Sequence, residues 1–487
     1  MLWYLFWIVL FVVVMFAIGI YHYRNISGVD EYLVSGWNVG FWPIAGTILA
    51  TWVGASAFIG GVGLGYESGI SGFTKFGLPA VLVSLLLCVL FAARLRRTKL
   101  YTLPDLFDER FGKPAGLLPA VLSAFIYSAP TLALQFVAMG ILFQTLFGIP
   151  LWLSLLLSWA LIYGYTMLGG LPSVIATDAI QSVILFVGIS LMGVAAYLYA
   201  GGIGEIAPAI PETHFSFLGQ DPWGTIFFAL SIGPFYLIWQ STWQRFYASK
   251  DEWTATWAPF VGFVIGGVFI GILSTLIGMA GRSFIPSEGM TPDAVFYTVL
   301  QDVLPPVLGG ILAMGLMAAL VSGGDSFLMQ GGSNLTRDIY NRYMDTEATS
   351  EQLLRVSRWS VTLIGVLGLM VSFAVTDIIT IYSYALKWLG VALVIPFLAI
   401  MFWRGVTRAG VVWSMVLALA ATIVWEVAGQ PLGLHEAVVG YTVMAVSLVA
   451  ISLFTNHGDD EQVVALWSEN LERRELEPEA AAKQGAD

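Results

Sequence analysis

The chain has a single cysteine, Cys88, which sits in an apolar run. One thiol rules out a disulfide framework and any cysteine-based metal cluster. Histidine is almost as scarce. His22, His214, His435 and His457 fall in loops or at the ends of apolar stretches, which offers no His-rich metal set and no paired nucleophile and base for an intramembrane enzyme. Charged residues make up only 11% of the chain, too little polar surface to solvate a soluble globule. The formal charge of −11 gives no basic patch for nucleic acid, and no pore-lining ring or filter motif of the kind a channel needs is visible.

What the chain has is length in apolar runs. It is 58% hydrophobic, with a mean hydropathy of +0.81. Thirteen stretches are each long enough to cross a bilayer: 2–21, 41–65, 73–93, 117–147, 151–168, 173–199, 223–247, 257–280, 305–334, 358–376, 378–403, 407–427 and 435–454. A bilayer core takes about 20 apolar residues of helix, and inside it every backbone N–H and C=O must be paired within the chain, so these stretches are helices. The fold class is an all-α polytopic membrane protein with the lipid bilayer as a permanent partner. The 18 Trp and 19 Tyr suit lipid–water interfaces. The first stretch has no preceding Lys or Arg and no small-residue cleavage site after it, so it reads as a retained span.

Eighteen of the 21 Lys and Arg residues fall in loops of one side or in the C-terminal tail, Arg245 and Lys250 among them. Only Arg282 lies in an opposite-side loop, and Lys75 and Lys387 sit inside spans. The positive-inside rule then puts the N-terminus outside and the C-terminus in the cytoplasm. Residues 1–455 form the transmembrane domain. Residues 456–487 read as an acidic, solvated cytoplasmic tail with one short amphipathic stretch around 461–475.

Two spans carry breaks near mid-depth. The second reads Ala50-Thr51-Trp52-Val53-Gly54-Ala55-Ser56-Ala57, continuing to Gly60-Gly61, and the seventh holds Gly233-Pro234. Singly, each break is as well explained by packing or a kink. Together they lie five spans apart, an odd offset that sets the two segments in opposite orientations. That is the layout of an inverted-repeat transporter, in which discontinuous helices bind solute and ion near the midplane. Repeat one covers about 41–199 and repeat two about 223–403, a five-plus-five arrangement with extra spans at 2–21, 407–427 and 435–454.

Ionisable residues at membrane depth mark function by default. Here they are Lys75, Asp178, Asp325 and Lys387. Ser322, Asp325 and Ser326 share one helical face at i, i+3 and i+4, suited to a hard monovalent cation. The plainer reading is serines bonding back to their own helix and Asp325 paired with a lysine. Asp178 reads equally as a charge at a helix N-terminus or as part of an ion path. The lysines could neutralise these aspartates or hold an anionic solute.

With these residues in place, the chain resembles the solute:sodium symporter family, which includes proline, sugar, sialic-acid and monocarboxylate carriers. The resemblance runs over about 2–403. It rests on Asp30-Glu31-Tyr32-Leu33, on Thr102-Leu103-Pro104-Asp105 with Glu109-Arg110-Phe111-Gly112, and on Gly169-Gly170 with Thr177-Asp178 and Gln181. Gln244-Arg245 with Ala248 and Lys250, Ala319 to Ser322, and Thr336-Arg337-Asp338-Ile339-Tyr340 complete it. The family implies one Na⁺ held by Ala50, Val53, Ala319, Ser322 and Gly323, and in some members a second at Ser322, Asp325, Ser326 and Asp178. Two positions depart from the family. Gly323 lacks the usual hydroxyl, and Asp325 is acidic where a serine is usual. Either the carboxylate compensates and Na⁺ still binds, or it carries a proton and H⁺ is the coupling ion.

The resemblance also implies a solute pocket among Ser56, Ala57, Lys75, Gln135, Phe235, Tyr236, Trp239 and Lys387. Ala57 and Phe76 stand where sugar carriers of the family place polar side chains, which favours an amino acid or a monocarboxylate. The expected function is Na⁺-coupled symport of a small organic solute by alternating access, with no organic cofactor and no catalysis. A proton-coupled symporter or an uncoupled facilitator of the same fold is the alternative. The expected location is a bacterial inner membrane.

Overall fold

The computed structural model describes residues 2–286, 288, 290–374, 378–431 and 434–455. The expected acidic tail at 456–487 lies outside the described residues. Among the described residues, eleven helices are long and apolar enough to cross a membrane, and twelve if one bent pair is counted as a span.

In chain order these are α1 (Leu2–Asn25), the bent pair α2 (Phe41–Trp52) and α3 (Ala55–Ser68), the short α4 (Ile70–Lys75) leading into α5 (Gly77–Thr98), and α6 (Leu103–Phe111) between spans. Then come α7 (Ala115–Phe147), α8 (Leu151–Tyr199), α9 (Pro222–Ile232) with α10 (Gln240–Ala248), and α11 (Glu252–Phe284). The last five are α12 (Pro306–Ser333), α13 (Ser350–Ala374), α14 (Ile378–Phe402), α15 (Arg408–Val427) and α16 (Glu436–Phe454).

Helix α8 is 49 residues long. At 1.5 Å per residue it would run about 74 Å, far more than the roughly 30 Å of a hydrocarbon core. Gly170 breaks it, with φ +56°, a conformation that glycine adopts without strain. A Cβ there would also collide with the Tyr32 ring and carbonyl. The thirteen spans expected from the sequence are reached only by dividing α8 at this glycine.

The two expected breaks are present. α2 and α3 meet at 50° across Val53 and Gly54, whose ψ of −168° is extended. Span seven stops at Ile232, passes through a 3₁₀ turn at Gly233–Leu237, and restarts at Gln240 after Trp239, which is extended. Pro234 has no N–H to give a continuing helix.

The glycines of α3 split between two uses. Gly54 serves the break. Gly65 serves packing: a Cβ there would lie 2.3 Å from the Thr275 carbonyl oxygen, and one at Gly278 would lie 2.0 Å from that of Val62. α3 and α11 therefore approach backbone to backbone, as small residues allow in membranes. α12 is the axis of the bundle, packed on α1, α2, α7, α8 and α13. Its residues from Leu312 to Ser333 are almost all sealed from solvent, whereas α1 and α16 turn most of their apolar side chains outward.

Candidate ion and solute sites

The break between α2 and α3 brings two half-helix ends together. The last carbonyls of a helix have no intrahelical partner, and among the described residues no backbone hydrogen bond closes on the Ala50 or Val53 carbonyl across the break. The amide end of α3 faces the same gap. Its first N–H, Ala55, donates to Gln135 Oε1 at 3.1 Å, and the next two residues, Ser56 and Ala57, whose amides belong to the first turn and have no partner within the helix, line a central cavity. One end of the break suits a cation and the other a carboxylate.

Beside the carbonyl end lies a buried polar cluster. Thr47 and Thr51 project from α2, Asp178 from α8, and Ser322, Asp325 and Ser326 from α12, all sealed from solvent. Thr51 Oγ1 lies 3.4 Å from Ser322 Oγ and 3.0 Å from Ser326 Oγ. Thr47 donates to Asp178 Oδ2 in a short hydrogen bond, and Tyr165 donates another to Asp325. The four positions Asp178, Ser322, Asp325 and Ser326 are thus brought together. Ala319 and Gly323 are buried on the same helix, with Ala50 and Val53 on the facing one.

Arg245, expected from the sequence in a loop at the membrane surface, is instead part of this cluster. Arg245 is wholly buried on α10. Its guanidinium lies 3.6 Å from Asp178 Oδ2 and donates to Thr47, Thr51 and Ser326, with Nη1 on the Ser241 carbonyl. Neither Lys75 nor Lys387 pairs with the aspartates; the cation beside them is Arg245. A planar fork of five N–H donors meets more oxygens at once than the three donors of an ammonium allow. Tyr165, Thr47 and Thr51 were also missed, although the i, i+4 pair of threonines on the broken span was readable. Two carboxylates face one guanidinium, so with both ionised the cluster has one negative charge to spare.

The central cavity is narrow, about 40 Å³, enough for a few waters. Ser56, Ala57, Gln135, Tyr236 and Trp239 line it, as expected. Trp52 and Tyr382, unforeseen, complete its aromatic wall: Trp52 packs on Tyr236 and Trp239 with ring centroids 5.0 and 5.8 Å apart, and the hydroxyls of Tyr236 and Tyr382 lie 3.3 Å apart.

Three expected solute residues lie elsewhere. Phe235 faces away and packs on Tyr127 at 4.9 Å. Lys75 lines a separate polar cavity, because α4 turns its charged face away from the centre. Lys387 is held by Glu436 of α16 at 2.6 Å and Glu426 of α15 at 3.2 Å, and so ties the last two helices to α14.

An osmoregulated proline transporter of Bacillus subtilis is 26% identical over 466 residues, covering 92% of this chain and 94% of its own. A sodium/proline symporter of Staphylococcus aureus is 27% identical over 485 residues, covering 92% of each. Among solved structures, a substrate-bound, outward-open Na⁺-coupled sialic acid symporter superposes with a TM-score of 0.82 at 18% identity, over 93% of this chain and 98% of that one. The fold is therefore the inverted-repeat transporter fold with discontinuous helices. The family model described as the sodium:solute symporter family matches residues 32–418; the chain belongs to that family, and is a multi-pass membrane transporter that couples Na⁺ to the movement of a small organic solute.

Proposed function

We propose that the solute is a small zwitterionic amino or imino acid of proline's size, taken up with Na⁺ across a bacterial plasma membrane. The observation that carries this is the convergence of half-helix ends at Val53–Gly54. Free amides at Ser56 and Ala57 suit a carboxylate, and the faces of Trp52, Tyr236 and Tyr382 suit an ammonium and a small apolar ring. Of the polar side chains that line this cavity, Gln135 Oε1 is taken by the Ala55 N–H and the Tyr236 and Tyr382 hydroxyls face each other at 3.3 Å, which leaves few groups to recognise a sugar. The names of the proline-transporting relatives point the same way.

The first Na⁺ would sit among the carbonyls of Ala50, Val53 and Ala319 and the hydroxyl of Ser322, with no side-chain ligand from Gly323. A second cation would be drawn to Asp325 and Asp178, with Ser322 and Ser326 at hand. The spare negative charge of that cluster supports one monovalent cation there, Na⁺ or a proton. Residues 41–199 and 223–403 would move as the two repeats, with residues 1–455 as the transport domain, the N-terminus outside and the C-terminus in the cytoplasm. Each charge moved inward gains about 2.3 kcal/mol per 100 mV. The small central cavity means that the aromatic wall must part for the solute to enter, so solute binding and closure of that wall are one event.

The test is thermal stability of the detergent-purified chain in Na⁺ against choline at fixed ionic strength, from pH 5.5 to 8.5, with Asp325→Asn alongside and L-proline added. Saturable stabilisation specific to Na⁺, enhanced by proline and weakened in Asp325→Asn, is the expected result. A pH dependence abolished by Asp325→Asn, with no Na⁺ effect at that cluster, would assign it to a proton. Absence of any proline effect with Na⁺ present would overturn the solute assignment.

A further inference from the structure

The polar cavity that holds Lys75 is separate from the central one and belongs to no part of the transport cycle described so far. It measures about 400 Å³, within the size range of small-molecule sites. The two cavities share a wall. Helix α4 turns Ser71 and Lys75 toward the polar cavity, and Gly72 and the neighbouring Phe73 and Phe76 toward the central one.

The wall is fixed by close packing. Gly69, at φ +61°, leaves no room for a Cβ against His214, whose Nε2 lies 3.0 Å from the Tyr66 carbonyl oxygen. Gly219, also at positive φ, seats the loop before α9 against Ser71. The loop, α4 and the end of α3 thus form a preformed basin.

Its charges are arranged in opposition. Lys75 is half-buried, its Nζ 6.0 Å from the Phe228 ring centroid, and it has no ion pair or hydrogen bond among the described residues. Glu67 and Asp221 line the same basin. Asp221 Oδ1 is engaged by the Gly224 N–H at 2.9 Å, whereas the Glu67 carboxylate has no hydrogen-bond or ion-pair partner among the described residues. Lys75 and Glu67 face each other as opposite charges that attract through space without touching, and the gap between them is matched by a molecule that carries both charges.

We propose that this basin is a staging site for the zwitterion. The solute carboxylate pairs with Lys75 and its ammonium with Glu67 before the solute passes the Phe73–Phe76 side of α4 into the central cavity. The site rests on the solute class proposed above. It concentrates zwitterions at the entrance and discriminates against amides and esters that lack the carboxylate. Partly exposed ion pairs contribute about 1 kcal/mol, so its effect falls on apparent affinity while turnover stays with the central site.

The experiment is initial-rate uptake of radiolabelled L-proline into proteoliposomes of the full chain under an inward Na⁺ gradient. The variants are Lys75→Gln, Lys75→Arg and Glu67→Gln, each checked for folding by its melting temperature. Lys75→Gln is expected to raise KM about fivefold with kcat within about twofold of the parent, and Lys75→Arg to keep KM within about twofold. L-Prolinamide should compete weakly, and equally, in the parent and in Lys75→Gln. An unchanged KM in Lys75→Gln, with Na⁺-driven proline uptake intact, overturns the staging site and leaves the symport reading standing. If the parent takes up no proline, the solute assignment has failed instead. Thermal-shift titrations of the parent and Lys75→Gln with glycine, alanine, serine, glutamate and lactate then decide: stabilisation lost in the variant keeps the site for another carboxylate, and its absence in both overturns it.

Discussion

The guanidinium of Arg245 lies 3.6 Å from the carboxylate of Asp178, and both side chains are wholly sealed from solvent. Removing one partner of a buried pair leaves an uncompensated charge and typically costs about 3–5 kcal/mol. Arg245→Gln is therefore expected to lower the melting temperature sharply in choline. It also exposes Asp178 and Asp325 to each other without a counter-charge, so a monovalent cation should partly replace the guanidinium. The stability deficit of the variant should shrink as Na⁺ is raised at constant ionic strength. A deficit equal at every Na⁺ concentration would mean that the arginine is purely structural and that the cluster has no room for an ion beside it.

Asp108, in α6 outside the membrane spans, sets a pH dependence. Burial is the main influence on it and pushes its pKa from 3.8 up to about 6, opposed by Arg342 and by the Gly116 N–H at 2.7 Å. Arg342 Nη1 lies 2.8 Å from its Oδ2. An acid whose folded pKa is raised holds its proton longer when folded, so its contribution is fully present below pH 4 and is lost as pH rises through 6. After allowance for water around the cluster, the loss is about 1–2 kcal/mol. Melting temperatures followed from pH 4 to 7.5 should fall less steeply in Asp108→Asn than in the parent. Parallel slopes would remove Asp108 from the explanation.

The helices, the two breaks and the acidic half of the buried polar cluster are legible because each has a local signature. Apolar length gives the spans, Val53-Gly54 and Gly233-Pro234 interrupt them, and Ser322, Asp325 and Ser326 recur on one helical face. Arg245 was not legible in that way. It follows a short polar run, Gln240 to Gln244, that reads as the end of a span, and only the tertiary packing of α10 against α2 and α12 shows that the run is buried. Lys387 failed for a related reason: its partners Glu426 and Glu436 are 39 and 49 residues away, at the ends of two helices that the repeat argument treated as additions. Lys75 sits beside residues that do face the central cavity, and one helical step sends its side chain to the other side of α4.

The Lys387 cluster makes its own prediction. Lys387→Met leaves Glu436, which is buried, without its cation, whereas Glu426 keeps 24% of its side chain in contact with solvent. The single variant should lose about 3 kcal/mol or more. Adding Glu436→Gln should recover a large part of that loss, while adding Glu426→Gln should recover little, since residues in one network couple strongly. Denaturation in detergent of the parent, the three single variants Lys387→Met, Glu436→Gln and Glu426→Gln, and the two doubles gives the two coupling energies. Equal recovery by the two second substitutions would show that Glu426 is as desolvated as Glu436 and that the cluster works as a symmetric clamp.

The last prediction concerns the missing hydroxyl at Gly323. The space a side chain would take there is filled by Gln135. A Cβ on Gly323 would lie 3.1 Å from Gln135 Cδ and 3.2 Å from its Oε1 and Nε2, and the same amide packs 3.4 Å from where a Cβ on Gly54 would be. Gln135 is thus wedged between α12 and the break of the second span, with its Oε1 holding the Ala55 N–H. Gly323→Ala adds bulk without a ligand and should push Gln135 toward the solute cavity. Overpacking of this kind costs about 1–3 kcal/mol, and proline affinity should fall with stability. Gly323→Ser adds the same bulk plus an oxygen beside Ser322 and the Ala319 carbonyl. Comparing serine with alanine cancels the crowding and isolates the ligand, so Gly323→Ser should bind Na⁺ about threefold or more tightly than Gly323→Ala, the worth of roughly one net hydrogen-bond-like contact. If the two variants share one half-saturating Na⁺ concentration, a hydroxyl at 323 does not reach the ion. The acidic residue at 325 would then not be a compensation for its loss, but a separate cation or proton site held open by Tyr165 and Ser326.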